Sequence, residues 1–328
     1  MTKTNLFITG GTGFIGSHLL PFLAGNDKYN ITVLTRDHAL SDIAGQSVNI
    51  IHGNLNDQYT YEDALNSTDA VIHLAGILND NHATDNMCRA VNVEGTRSLM
   101  EACKGKNIRK FIHCSSTAVY GDKGQTKPRS ETSPANPESV YGITKLEAEQ
   151  ILLKGFEPDE ISLVIIRPSG IYGPGDMKGL KYFRAIKHDR IRFYINTTQI
   201  VHPTHVMDVV HAIGLILEKD LLHHEILNIG GEKSLRLIEL ATMTAKLMGT
   251  RIIQIGLPEA LLPACGYVTE KFCRLTGKKN NYADKFTLEI VDHSIVTSKA
   301  KDLLGYAPVS FQDGMKETID WYIENRYI

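Results

Sequence analysis

Cysteine is sparse and scattered in this chain. Five thiols, at 88, 103, 114, 265 and 273, form no CxxC pair and no metal-ligand spacing. That excludes a zinc ribbon or a disulfide framework and suggests reduced, mostly buried thiols of a cytoplasmic protein. Histidine is plentiful at 13, yet no HExxH pattern or ligand cluster appears, so no metal is expected. Charge of one sign is also missing. Lys and Arg number 35 against 37 Asp and Glu, a formal net charge of −2. Neither nucleic acid nor an anionic membrane surface is therefore an expected partner. No apolar run approaches a membrane span, and the first apolar residues do not form a signal-peptide pattern. Repeats and low-complexity linkers are absent as well.

What is present is alternation. Short Val- and Ile-rich runs at Leu6–Thr9, Ile31–Thr35, Val48–His52, Ala70–Leu74, Lys110–Ser115 and Ser162–Arg167 predict strands buried on both faces. Helical stretches such as Ser17–Ala24, Val93–Cys103 and Lys145–Leu153 separate most of them. This predicts an α/β fold built on a doubly wound parallel sheet. Past Gly170 the alternation breaks down. Helices are expected at Leu180–His188, Val206–Glu218, Leu237–Met248, Pro258–Leu275 and Gly314–Glu324, with strands at Arg192–Tyr194, Ile226–Ile229 and Arg251–Ile255. Two closely packed lobes with a ligand between them are the expected result.

The most informative stretch is NLFITGGTGFIG, residues 5–16. Gly10 permits a tight strand-to-helix turn, Gly13 lets backbone N–H groups approach a pyrophosphate, and Gly16 lets the helix pack close to the sheet. The helix N-terminus then faces the anion. A second pattern is Tyr141-Gly-Ile-Thr-Lys145, whose phenol and ammonium share a helix face. The cation is expected to lower the tyrosine pKa towards neutrality, and the lysine is also placed to bind a cofactor ribose. Before it comes HCSSTAVYG at 113–121, hydroxyls at a strand end where ligands of such sheets bind.

Together with HLAG (73–76), VNVEGT (91–96), RPSGIYGPGD (167–176), HPTHVMDVV (202–210), LNIGG (227–231) and LGYAP (304–308), these segments carry a resemblance. The chain resembles extended short-chain dehydrogenase/reductases of the NAD-dependent epimerase/dehydratase group along nearly its whole length. The resemblance implies a seven-stranded Rossmann domain over 1–168, with a return segment at about 200–230. A smaller, partly discontinuous substrate-binding lobe would span 169–199 and 231–328. Tyr141 would be the acid/base, Lys145 its partner and Ser116 the catalytic hydroxyl, with Ser115 and Thr117 pointing elsewhere. The dinucleotide would lie against Gly10, Thr12, Gly13, Phe14, Ile15 and Gly16, with Arg36, Asn54 and Leu55 near its adenosine half. Leu74, Ala75, Gly76, Pro168, Ser169, Tyr141 and Lys145 would complete the cradle, and Asn92 would either orient the loop or touch the ligand. A homodimer through the helices near 93–103 and 143–153 is also implied.

Cofactor and substrate are read from departures. Thr35 and Arg36 stand where NAD-preferring sites place an acid, which favours NADP(H); NAD remains the alternative, with Asp37 reaching the ribose. Thr117 and Ala118 occupy the positions of the dehydratases' Asp-Glu pair, arguing against dehydration. Gly170 and Val201 fall where nucleotide-sugar epimerases carry an asparagine and an arginine for the diphosphate. The favoured expectation is an oxidoreductase acting on a secondary alcohol or ketone of a small, non-nucleotide substrate. The alternatives are an NAD-dependent nucleotide-sugar epimerase and a non-catalytic binder. The apolar stripe of 258–279 reads as a packed helix or as a lid, and Lys104, Lys106, Arg109 and Lys110 as a solvated loop.

Overall fold

A computed structural model describes residues 3–36, 48–78, 83–121, 127–188, 192–194, 199–220, 224–255, 271 and 292–328. Strands β1 (Thr4–Thr9), β2 (Tyr29–Thr35), β3 (Val48–His52), β4 (Ala70–His73), β5 (Lys110–Cys114) and β6 (Ser162–Pro168) build a parallel sheet. After short strands β7 (Ile171–Tyr172), β8 (Arg192–Tyr194), β9 (Ile200–Val201) and β10 (Thr204–His205), β11 (Glu225–Ile229) returns to pair with β6. The sheet order is β11-β6-β5-β4-β1-β2-β3. Strand order reverses between β1 and β4, which pair in register with Thr9 opposite His73. The loops leaving those two strands therefore diverge around a crevice, the place where such sheets bind ligands.

Both faces of the sheet are covered, which explains the continuous apolar runs. Leu6, Ile8, Ile72, Ile112, Val164 and Ile166 point to one side, against helices α1 (Phe14–Ala24) and α7 (Val206–Glu218). Phe7, Val71, Phe111, Leu163 and Ile165 point to the other. There they meet α4 (Gly95–Cys103) and α5 (Val140–Gly155) through Leu99, Met100 and Leu152. Shorter helices α2 (Glu62–Leu65) and α3 (Asp85–Arg89) precede α4, and a π turn at Ala90–Glu94 joins α3 to α4. A separate cluster of Tyr172, Leu180, Phe183, Leu235, Phe311, Met315, Ile319 and Tyr322 holds the C-terminal part. It gathers α6 (Leu180–Lys187), α8 (Leu237–Leu247) and α10 (Phe311–Glu324), while α9 (Ser298–Leu304) packs beside β11. Small pairings complete this part: β7 with β10, β9 with β12 (Leu235–Arg236), and β8 with β13 (Ile253–Ile255).

Two expectations change. Helix α5 starts at Val140 rather than Lys145, because Ser139 Oγ caps it by accepting the Gly142 N–H at 3.1 Å. Lys110 is not solvated: its Nζ donates to the carbonyls of Ile216 (2.7 Å), Leu217 (3.3 Å) and Lys219 (2.6 Å), closing the C-terminus of α7. A cation there satisfies carbonyls that the helix itself leaves free. The apolar stripe of 258–279 lies outside the described residues, apart from Lys271.

Candidate active site

The glycine loop follows from local geometry. Gly10 has φ +75°, and a Cβ there would sit 2.5 Å from the Ala75 nitrogen. At Gly16 a Cβ would meet the Gly10 carbonyl at 2.4 Å. Only glycine fits either position, so the turn from β1 into α1 is compressed against the loop leaving β4. Gly13 lines the opening, with the Gly10 carbonyl 3.2 Å from a built Cβ.

Beyond this loop runs a cleft of about 1120 Å³. Gly10, Gly13, Phe14, Ile15, Gly16, Arg36, Asn54, Leu74 and Gly76 line one end; Ser116, Tyr141, Lys145, Pro168 and Ser169 line the other. Thr12, Leu55 and Ala75 border a second chamber of about 260 Å³ under the same loop. Asn92 is different. Its amide accepts from the Ile77 N–H (2.8 Å) and donates to the Ile77 carbonyl (2.9 Å) and Thr144 Oγ1 (3.0 Å). It stands behind the wall and orients the 74–78 loop. Ser115 and Thr117 are also among the residues at the cleft, the Ser115 hydroxyl itself being buried, and a 3₁₀ turn at Thr117–Tyr120 ends the strand alternation.

Helix α5 brings Tyr141 and Lys145 to the ends of β5 and β6. Lys145 is buried and its Nζ donates to the Cys114 carbonyl at 2.8 Å. Burial lowers its pKa. Tyr141 runs against the sequence expectation: burial, with a smaller effect of the nearby Cys114, raises its pKa, and a hydrogen bond with Ser116 opposes the rise. The two residues share a face of α5, and the ammonium is engaged by the Cys114 carbonyl. In this state Tyr141 is a proton donor.

The residues suit a dinucleotide. Three glycines clear the backbone at a helix N-terminus, and the buried Ser115 hydroxyl beside the cleft has no hydrogen-bond partner among the described residues. A Cβ on Gly76 would stand 3.0 Å from Lys145 Nζ, so that glycine keeps the lysine's approach open. Among the described residues no group of three His, Cys, Asp or Glu is placed to hold a metal.

Of an adjoining chamber, sequence reading reached Gly170 and Val201 but not the deeper wall. A chamber of about 430 Å³ shares Thr117, Ser169, Gly170, Asp176 and His293 with the cleft. Its deeper wall is Tyr172, Tyr182, Phe183, Leu237, Leu240 and Met315. Leu78, Met87 and Met177, each more than a third exposed, rim the cleft. Such side chains are spread over five segments and leave no local pattern. No described helix is long and apolar enough to cross a membrane.

Residues 6–230 match the family described as NAD dependent epimerase/dehydratase. A protein named as an uncharacterized UDP-glucose epimerase of Bacillus subtilis is 26% identical over 342 residues, covering 98% of both chains. The sterol-4-alpha-carboxylate 3-dehydrogenase of Saccharomyces cerevisiae is 27% identical over 349 residues, with 98% of each covered. Among solved structures, MoeE5 in complex with UDP-glucuronic acid and NAD is 28% identical with a TM-score of 0.77, covering 98% of this chain and 99% of that one. The glycine cradle, the Ser116–Tyr141–Lys145 cluster and this match over most of the length agree: the chain is an enzyme of the NAD dependent epimerase/dehydratase family.

Proposed function

We propose that the chain is a nicotinamide-dependent oxidoreductase that handles a secondary alcohol or its ketone, with Tyr141 as acid/base. The observation that carries this reading is the meeting of Ser116, Tyr141 and Lys145 in one cleft with the glycine loop. A bound nicotinamide would supply the hydride acceptor or donor. Protonated Tyr141 gives its proton to a ketone oxygen, and the Ser116 hydroxyl donates to the same oxygen as negative charge develops. In the opposite direction Tyr141 must first lose its proton, which burial opposes, so an added positive charge at the site favours alcohol oxidation. Lys145, fixed by the Cys114 carbonyl, holds the ribose side of the cleft.

For the substrate, a nucleotide-linked sugar is the reading that the relatives support, since the Bacillus protein and MoeE5 both carry UDP-sugars in their names. An epimerase would use the same Tyr141 for oxidation and for return of the hydride. A second reading, a non-nucleotide alcohol, is supported by the yeast sterol dehydrogenase and by the inner chamber. No Lys or Arg stands among that chamber's described lining residues. Gly170 also presents open space where an asparagine would otherwise donate. A buried diphosphate without a cation or amide partner is costly.

The test mixes purified protein and NAD⁺ or NADP⁺ with UDP-glucose, UDP-glucuronic acid or a 3β-hydroxysteroid. Absorbance at 340 nm and product chromatography are followed together. Epimerised sugar without net NADH supports the first reading; NADH formed one-for-one with ketone supports the second. A protein with no affinity for either dinucleotide would overturn both.

A further inference from the structure

The stripe of α5 that carries Tyr141 and Lys145 continues to Glu149, four residues further on and therefore on the same face. Glu149 is 1% exposed. Arg167, near the end of β6 and almost as buried, grips it with two parallel bonds: Nε to Oε1 at 2.9 Å and Nη2 to Oε2 at 2.5 Å. Arg167 also donates through Nη1 to the Tyr120 hydroxyl at 3.0 Å, and its guanidinium lies 5.0 Å from that ring's centre. Tyr120 in turn donates to Asn228 Oδ1 at 2.7 Å, so the clamp is anchored on β11.

A buried ion pair loses hydration that its mutual attraction only partly restores, and well-packed apolar residues often do as well. Its place beside the cleft gives it another role. Around Lys145 stand Tyr141 on its own helix, Cys114 and His113 on β5, and His73 on β4. Burial keeps both histidines neutral and the Cys114 thiol protonated at neutral pH. Among these groups Glu149 alone is anionic, one helical turn from the ammonium.

We propose that Glu149, held in place by Arg167, is a positioning residue that keeps Lys145 charged and aimed at the cleft. The inference rests on the reading above that Lys145 serves a bound dinucleotide. It predicts a pH effect that loss of packing alone does not produce.

The experiment measures NADH affinity by fluorescence between pH 6 and 10 for the parent, E149Q, E149M/R167M and K145M, with circular dichroism to confirm folding. Affinity of the parent should fall through an alkaline midpoint as Lys145 loses its proton, and K145M should lack that limb. In E149Q, with Arg167 uncompensated, the midpoint should move down by about one pH unit. E149M/R167M replaces the pair with apolar bulk; its midpoint should also move down, by less. If E149Q does not fold, the double variant decides the matter. Coincident midpoints in folded variants, or a parent with no alkaline limb, would overturn the inference while leaving the oxidoreductase reading intact. A parent that binds neither NADH nor NADPH would instead sink that reading and this inference together.

Discussion

His73 Nε2 lies 2.9 Å from Thr96 Oγ1, and Thr96 spends its own proton on the Asn92 carbonyl at 2.7 Å. Thr96 can therefore only accept from the imidazole, which fixes the proton on Nε2 and leaves Nδ1 as an acceptor. Thr9 Oγ1, at 2.7 Å, fills that role as donor while taking the Ala75 N–H at 3.3 Å. One neutral histidine thus ties β1, the π turn and the 74–76 loop together. His73→Phe keeps the ring but strands both threonines. Urea unfolding should show a loss of about 1–3 kcal/mol, and NADH binding should weaken as the loop loosens. Unchanged stability would show that the chain of hydrogen bonds is not what holds the loop.

Acid stability follows from the buried histidines. Burial lowers the pKa of His73 to about 3 and of His205 to about 4, with His113 and His202 also lowered. In the unfolded chain these rings take protons near pH 6.5. Between that pH and the folded-state values the unfolded state binds more protons, so stability falls as pH drops. Asp208, raised to about 6 by burial, works the other way between pH 6 and about 4. Several histidines oppose one carboxyl, so the urea midpoint should decline steadily from pH 7 to pH 5. Among the described residues His113 has no hydrogen-bond partner at either ring nitrogen. His113→Leu should flatten that decline while changing stability at pH 8 by only about 1 kcal/mol.

The glycine loop allows folding and binding to be separated. At Gly10 both the positive φ and the backbone of Leu74 and Ala75 exclude a side chain. Gly10→Ala should lower stability by about 1–3 kcal/mol and abolish dinucleotide binding with it. Gly13 has ordinary φ and only one near neighbour. Gly13→Ala should melt close to the parent temperature yet lose about tenfold or more in NADH affinity, because its methyl takes the space nearest the phosphates. Equal effects on melting in the two variants would contradict this division.

How much of this was legible beforehand depended on how local each signal is. The strand–glycine–helix stretch at 5–16 and the Tyr141–Lys145 spacing are written within a few residues, and the short Val- and Ile-rich runs that give the sheet are equally local. Lys110 could not be read, because its acceptors lie more than 100 positions away at the end of α7. The same holds for Lys145: its partner is a backbone carbonyl, identical in every residue and silent in the letters. Tyr141's raised pKa comes from burial that exists only after β5 and α5 pack. Of the inner chamber Gly170 and Val201 registered and the deeper wall did not, for a related reason, its walls coming from segments far apart in the chain. The preference for NADP(H) drew no support from MoeE5, solved with NAD.

Arg36 bears on that preference. It is exposed at the end of β2 and lines the cleft, while Thr35 beside it is buried. Asp37 falls outside the described residues. A guanidinium recognises a 2′-phosphate far better than a hydroxyl. Arg36→Ala should therefore weaken NADPH binding by about tenfold and NADH binding by much less, whichever dinucleotide the parent prefers. Equal losses for both in fluorescence titration would place Arg36 away from the ribose.

Tyr141→Phe is the sharpest test of the chemistry. Removing one oxygen leaves the ring's packing on α5, and Lys145 keeps its hydrogen bond to the Cys114 carbonyl. NADH affinity and melting temperature should stay near the parent's. Turnover should fall by about 10²–10⁴-fold, the range expected when a positioned acid/base is lost. Ser116→Ala should cost less, since it withdraws one donor from the developing oxyanion and leaves the proton path in place. A Ser116 variant slower than the Tyr141 variant would reverse the assignment and make the serine hydroxyl the proton carrier.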